Sequence, residues 1–143
     1  MIQMTKSNPN NIFVDTNVLI GAWSEKLIDK KCLEYLFSLT GKRLFISALS
    51  VAQLVSVFQK KKDNEEIKKI VYALLSKFTV LEFSDKDIIN SLKIKYADME
   101  DNIQYTISRK YNCRYFITNN KKDYVWFGHI DTLLPNQIRL IRR

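Results

Sequence analysis

Cysteine is almost absent from this sequence. Only Cys32 and Cys113 occur, and neither has a cysteine or histidine neighbour at metal-ligand spacing. That sparseness excludes a cysteine-rich metal or disulfide framework, and both residues read as buried free thiols in a reducing compartment. Glycine and proline are equally scarce, at three and two residues, so no flexible linker divides the chain, and no internal repeat or low-complexity tract is visible. The one histidine, His129, lies beside Trp126 and Phe127, where packing or a hydrogen bond is the expected role. Long apolar runs are missing too: the first, Val18 to Trp23, is far too short for a signal sequence or a membrane span, and a polar stretch, 1–11, precedes it. A cytoplasmic location with no membrane contact is expected.

What is present suits one ordinary domain spanning 1–143, with 1–11 as a polar arm. Apolar residues make up 46% of the 143 and charged residues 27%, near the averages for folded proteins and far from those of disorder. The formal net charge is +8, with basic residues recurring at Lys60 to Lys62, Lys68 and Lys69, Arg109 and Lys110, Lys121 and Lys122, and Arg142 and Arg143. A basic surplus favours a polyanion such as nucleic acid. Lysines also coat solvated helix faces and gather at helix C-termini, so charge alone does not decide the point.

Periodicity predicts strands alternating with helices. Ile12-Phe13-Val14 stops at Asp15 as a buried parallel strand would. Leu33, Leu36, Phe37 and Thr40 follow helical spacing up to Gly41, and Leu44-Phe45-Ile46 reads as a second strand. Ser47 or Ser50 can cap a helix carrying Val51, Leu54, Val55 and Phe58 on one stripe, and Ile67, Ile70, Val71, Leu74, Leu75 and Phe78 mark another helix. A third strand is expected over Thr79 to Phe83, a helix from Ser84 or Asp85 to about Lys95, and a further helix from Asp98 to about Tyr111. Tyr115-Phe116-Ile117 gives a fourth strand, and Gln137 to Ile141 a fifth after the Pro135-Asn136 turn. The order implies an α/β fold with a parallel sheet of four to five strands.

In such sheets ligands bind outside the C-terminal strand ends. Asp15-Thr16-Asn17, Ser47 and Thr118-Asn119-Asn120 all fall there. Each has an ordinary structural reading as well. Asp15 and the acidic run Asp98-Met99-Glu100-Asp101 suit helix caps and first turns, Asn119 and Asn120 suit a turn, and Lys121-Lys122-Asp123 a solvated loop.

Taken together, in order and spacing, these segments resemble the PIN domains, particularly the toxin-like bacterial ribonucleases of the VapC type. The resemblance rests on Ile12 to Val18, Ile46 to Leu49, Asp98 to Tyr105 and Ile117 to Tyr124, and covers nearly the whole chain. It implies a three-layer α/β/α fold, acidic side chains that bind Mg²⁺ or Mn²⁺, and cleavage of RNA. By that resemblance Asp15 and Asp101 are the catalytic, metal-binding carboxylates, and Asp98, one helical turn before Asp101, is a direct or indirect participant. Asn120 and Asp123 are placed to hold a metal ion or its water, with Thr16, Asn17, Ser47 and Thr118 in support. The chemistry is consistent, because hard Mg²⁺ takes oxygen ligands, keeps several waters, and needs only one or two protein carboxylates besides substrate phosphate. An ion so held can acidify water and stabilise charge on a leaving oxygen.

One departure stands out. Many PIN nucleases carry glutamate on the helix after the second strand, where this chain has Gln53, off the stripe of Val51, Leu54, Val55 and Phe58. Its amide oxygen can accept from water or contact a metal, but a negative charge is missing.

Two functions follow from the resemblance. One is the metal-dependent endoribonuclease toxin of a toxin-antitoxin pair, with RNA as substrate, an antitoxin as partner and homodimerisation. The other is a catalytically weakened module that binds RNA or protein. A large gain in cleavage on Gln53→Glu would mark the second. A phosphoacceptor domain using Asp15 or Asp85 fits poorly, since no acidic pair follows the first strand.

Overall fold

The computed structural model describes residues 7–95, 98–125, 127–128 and 130–142. His129 and Trp126, and with them the expected packing of that histidine, lie outside the described residues, as do residues 1–6 of the polar arm. The part of the arm from Asn8 onward is strand, because the first strand begins there.

Five strands form one parallel sheet in the order β3-β2-β1-β4-β5. They are β1 (Asn8–Val14), β2 (Arg43–Ser47), β3 (Thr79–Leu81), β4 (Cys113–Ile117) and β5 (Asp131–Leu133). The first strand in the chain is therefore the central one, with Ile12 paired to Leu44 on one side and Tyr115 on the other. The near-continuous apolar runs Ile12-Phe13-Val14 and Phe116-Ile117 are what a strand buried on both faces requires.

Alternation along the strands sends side chains into two apolar clusters, one on each face. Ile12, Val14, Ile46 and Ile117 join α1 (Thr16–Trp23), α2 (Leu27–Ser38), α3 (Ala48–Phe58) and α4 (Asn64–Lys77), through residues such as Leu19, Leu36, Leu54, Phe58 and Leu74. Phe13, Phe45, Leu81 and Phe116 join Tyr105 and Ile107 of α6 (Met99–Lys110), together with Tyr124, Phe127 and Ile130. The result is the expected three-layer arrangement. Cys32 and Cys113 are buried free thiols, one in each cluster, and burial pushes both up to about 12.

Capping sets the element boundaries. Asp15, Ser47, Asp63 and Asp98 each accept from a backbone N–H in the first turn of the helix that follows. Gly41 takes φ +72 in the turn between α2 and β2, a left-handed conformation suited to glycine.

Three expectations are corrected. The third strand ends at Leu81, two residues before Phe83. The helix after it, α5 (Asp85–Ser91), stops short of Lys95, because from Leu92 on the backbone turns to i−3 bonds, Leu92 N to Ile89 O, Lys93 N to Asn90 O and Ile94 N to Ser91 O, which close it in a tight 3-10-type turn. The fifth strand is Asp131–Leu133, whereas Gln137 to Ile141 lies largely in a 3-10 helix, Pro135–Leu140. Pro135 supplies a helical φ at the first position, and Gln137 Oε1 accepts from Leu134 N at 2.9 Å, closing a turn where a strand was expected.

Candidate active site

Asp15 sits where β1 ends and α1 begins, 6% exposed, with three donors on its carboxylate. Thr16 N donates to Oδ1 at 2.8 Å, while Thr118 Oγ1 and Asn17 Nδ2 donate to Oδ2 at 2.8 and 3.1 Å. Thr118 directly follows the neighbouring strand β4, whose last residue, Ile117, pairs with Val14, so the β1–β4 pairing itself aligns the donor with the carboxylate. Asn17 Nδ2 also donates to Thr118 Oγ1 at 3.2 Å.

Behind this cluster lies a brace. Asn119 N donates to Asn17 Oδ1 at 3.1 Å, and Asn119 Nδ2 donates to Asp29 Oδ1 at 3.1 Å. Asp29 is fully buried, and its other oxygen has no hydrogen-bond partner. A methyl group on Gly21 would run into that oxygen, with the Asp29 Cγ only 2.7 Å away, so the close approach of α1 and α2 demands glycine there.

Asp101 lies in the first turn of α6, with its N–H accepted by Asp98 Oδ1 at 3.0 Å. Tyr124 closes the other side: its ring is fully buried and its hydroxyl donates to Asp101 Oδ1 at 2.8 Å. The same hydroxyl bears on Asp15. Tyr124 thus binds one carboxylate and lies near enough to influence a second from a distant part of the chain.

Electrostatics sharpen the picture. Burial pushes Asp15 up to about 6, against the pull of the Thr118 hydroxyl and Thr16 N–H, and the charge of Asp101 adds to the rise. Burial also takes Asp101 to about 6. The Tyr124 hydrogen bond opposes that rise, and the negative charges of Asp98, Asp123 and Glu100 reinforce it. The charges that raise these two groups come from acidic neighbours, Asp101 on Asp15, and Asp98, Asp123 and Glu100 on Asp101. Such an arrangement is costly for the protein alone and is what a divalent cation would relieve.

The donor set therefore fits a hard cation held by few protein oxygens. Among the described residues no group of three or more acidic, histidine or cysteine side chains is arranged to enclose a metal, so the fit is to two carboxylates with water and substrate completing the shell.

The other sequence-predicted residues divide. Thr16, Asn17 and Thr118 join the Asp15 cluster directly. Asp98 is exposed and caps α6, and Asp123, in the 3-10 turn Lys121–Asp123, acts on Asp101 through its charge. Asn120 is exposed, with its N–H on Thr118 Oγ1 at 3.0 Å. Asp85 stands exposed in the first turn of α5, after the edge strand.

Ser47 and Gln53 belong to a polar network beneath the site. Ser47 Oγ donates to Gln104 Oε1 at 2.7 Å, Gln104 Nε2 donates to Ser50 Oγ at 3.0 Å, and Thr16 Oγ1 lies 2.7 Å from Gln53 Oε1. Gln104, Ser50 and Tyr124 were not singled out by sequence reasoning. A signal existed for Gln104, which falls one helical turn after Asp101 on the same face of α6. Tyr124 carried none beyond its place at the end of the Ile117 to Tyr124 segment.

The family model of the PIN domain matches residues 12–130. The chain belongs to the PIN-domain family. Among curated PIN relatives, Ribonuclease VapC1 of Aquifex aeolicus is 25% identical over 133 residues, covering 82% of this chain and 86% of that one. Two solved structures share the PIN fold. A toxin-antitoxin complex from Klebsiella pneumoniae matches with a TM-score of 0.67 at 21% identity, covering 87% of this chain and 97% of that one. VapBC2 from Rickettsia felis, bound to a DNA fragment from its promoter, matches with a TM-score of 0.66 at 17% identity, covering 87% and 98%.

Proposed function

We propose that this PIN domain is a metal-dependent endoribonuclease acting as the toxin of a toxin-antitoxin pair. One observation carries the chemistry: Asp15 and Asp101 lie close enough for the charge of one to raise the other, and both are pushed up to about 6 by burial and acidic neighbours. A ribonuclease relative and a toxin-antitoxin structural neighbour support the biological reading. The basic surplus of +8 favours an RNA substrate.

In this reading Asp15 and Asp101 hold Mg²⁺ or Mn²⁺, which when bound supplies acidity to water and positive charge to the phosphate. Thr118, Asn17 and the Thr16 N–H fix the Asp15 carboxylate, so its free lone pairs face one direction. Tyr124 fixes Asp101 in the same way while leaving Oδ2 open. The Asp29–Asn119–Asn17 brace prevents the loop after β4 from drifting away from β1.

An antitoxin partner and a homodimer accompany this reading, as does action in the cytoplasm. No helix among the described residues is long and apolar enough to cross a membrane. The test is incubation of labelled total RNA or tRNA with purified protein in Mn²⁺ or Mg²⁺. Cleavage should occur and should vanish both in EDTA and in Asp101→Asn. RNA that is bound but left intact would replace the nuclease with a binding module.

A further inference from the structure

We propose that Gln53 is a hydrogen-bond donor to a phosphate oxygen of the RNA backbone and not a metal ligand, because its amide oxygen is already engaged by Thr16 and Gln104 while its amide nitrogen meets no protein acceptor among the described residues. The identity of the phosphate rests on the nuclease reading above.

The hydrogen-bond network orients the amide. Thr16 Oγ1 donates to Gln53 Oε1 at 2.7 Å. Ser47 Oγ to Gln104 Oε1 is also 2.7 Å, which turns the Gln104 nitrogen the other way, toward Ser50 Oγ at 3.0 Å, Thr16 Oγ1 at 3.2 Å and Gln53 Oε1 at 3.4 Å. Two donors therefore converge on the Gln53 oxygen. Among the described residues no protein acceptor meets its Nε2, and the side chain is only half-buried.

Position gives that nitrogen a use. Thr16 directly follows Asp15, and Gln104 lies one turn past Asp101, so the Gln53 amide is held between the elements that carry the two carboxylates. A phosphodiester arriving there meets two like charges and gains from any donor beside them. A neutral amide provides the donor without adding to the repulsion. Glutamate at this position would accept the same two hydrogen bonds with one oxygen and turn a charged oxygen, with no proton to give, toward the site.

The test separates phosphate from metal. Anisotropy of a labelled single-stranded RNA in EDTA reads RNA binding without cleavage, and electron paramagnetic resonance titration of Mn²⁺ without RNA reads metal binding. Gln53→Leu should weaken RNA binding roughly tenfold while leaving Mn²⁺ affinity within about twofold. Gln53→Met, unbranched and with a thioether that accepts weakly from Thr16, should do the same and serves if the leucine variant does not fold. Gln53→Glu should tighten Mn²⁺ binding and weaken RNA binding in EDTA.

Loss of Mn²⁺ affinity in Gln53→Leu or Gln53→Met would make Gln53 a ligand and overturn the assignment, as would unchanged RNA binding in both. A wild-type protein that binds RNA through Gln53 but does not cut it would leave the assignment standing and remove the nuclease. A wild-type protein that cuts RNA, with binding indifferent to residue 53, would do the reverse.

Discussion

At the residue scale, a raised carboxyl is a statement about stability. Asp101 titrates at about 6 in the folded chain against an ordinary 3.8, so its protonated form favours folding. That stability is complete below about pH 4 and is lost as pH rises through 6. Asp101→Asn keeps an acceptor for the Tyr124 hydroxyl and removes the charge. In EDTA at pH 7 it should therefore be more stable than wild type. The shift is worth about 3 kcal/mol undiluted and roughly 1–2 kcal/mol once screening by solvent is allowed for. Urea unfolding across pH 4 to 8 checks it: the two proteins should coincide at the acid end, separate as pH rises from about 4 to 6, and keep a constant difference above that. Saturating Mn²⁺ should raise the wild type and not the variant. The positions of Asp15 and Asp101 were legible in the sequence, because a strand end and a helix start are local patterns. Tyr124 was not, since a tyrosine whose hydroxyl serves and one that only packs look the same in one dimension. Gln53 was visible as a departure, but the direction its amide faces depends on Gln104, 51 residues away.

At the element scale, long periodic helices and short apolar strands declared themselves, and the errors fall at element ends. A turn of i−3 backbone bonds closed α5 early, and a glutamine closing a turn replaced a strand with a 3-10 helix. Local hydropathy carries neither event. The packing of α5 on α6 depends on another such side chain. Asp87 is buried, accepts from Ser84 N at 2.9 Å, and meets Lys110 Nζ at 2.8 Å. Burial works against its charge, yet the lysine and the N–H win, holding it below the ordinary carboxylate range. Lys110→Ala leaves that carboxylate with a single backbone donor and should cost about 1–2 kcal/mol. Because the folded pKa is depressed, the stabilisation is present at neutral pH and is lost on acidification. The difference between variant and wild type in thermal melts should shrink as pH falls below about 4.

At the scale of the whole molecule, the sign of the charge differs between site and surface. The carboxylates make a negative centre in a chain of net charge +8, so under the proposed nuclease reading RNA would be drawn by the periphery and resisted at the carboxylates. RNA affinity measured in EDTA should accordingly fall steeply between 50 and 200 mM salt. Added Mn²⁺ should flatten that dependence little, because the ion acts at the centre and the salt at the rim. A salt-independent affinity would contradict this division.

The order of the strands has a consequence in time as well as in space. β1 emerges first from the ribosome yet occupies the middle of the sheet, and it is flanked on one side by β4, which emerges only after residue 112. Asp15 is made early, but Thr118 and Tyr124, which fix the two carboxylates, are made late. A copy interrupted before β4 has no such site to assemble. If the proposed nuclease reading holds, unfinished or prematurely terminated copies would lack the assembled site and so pose no threat to the message being read.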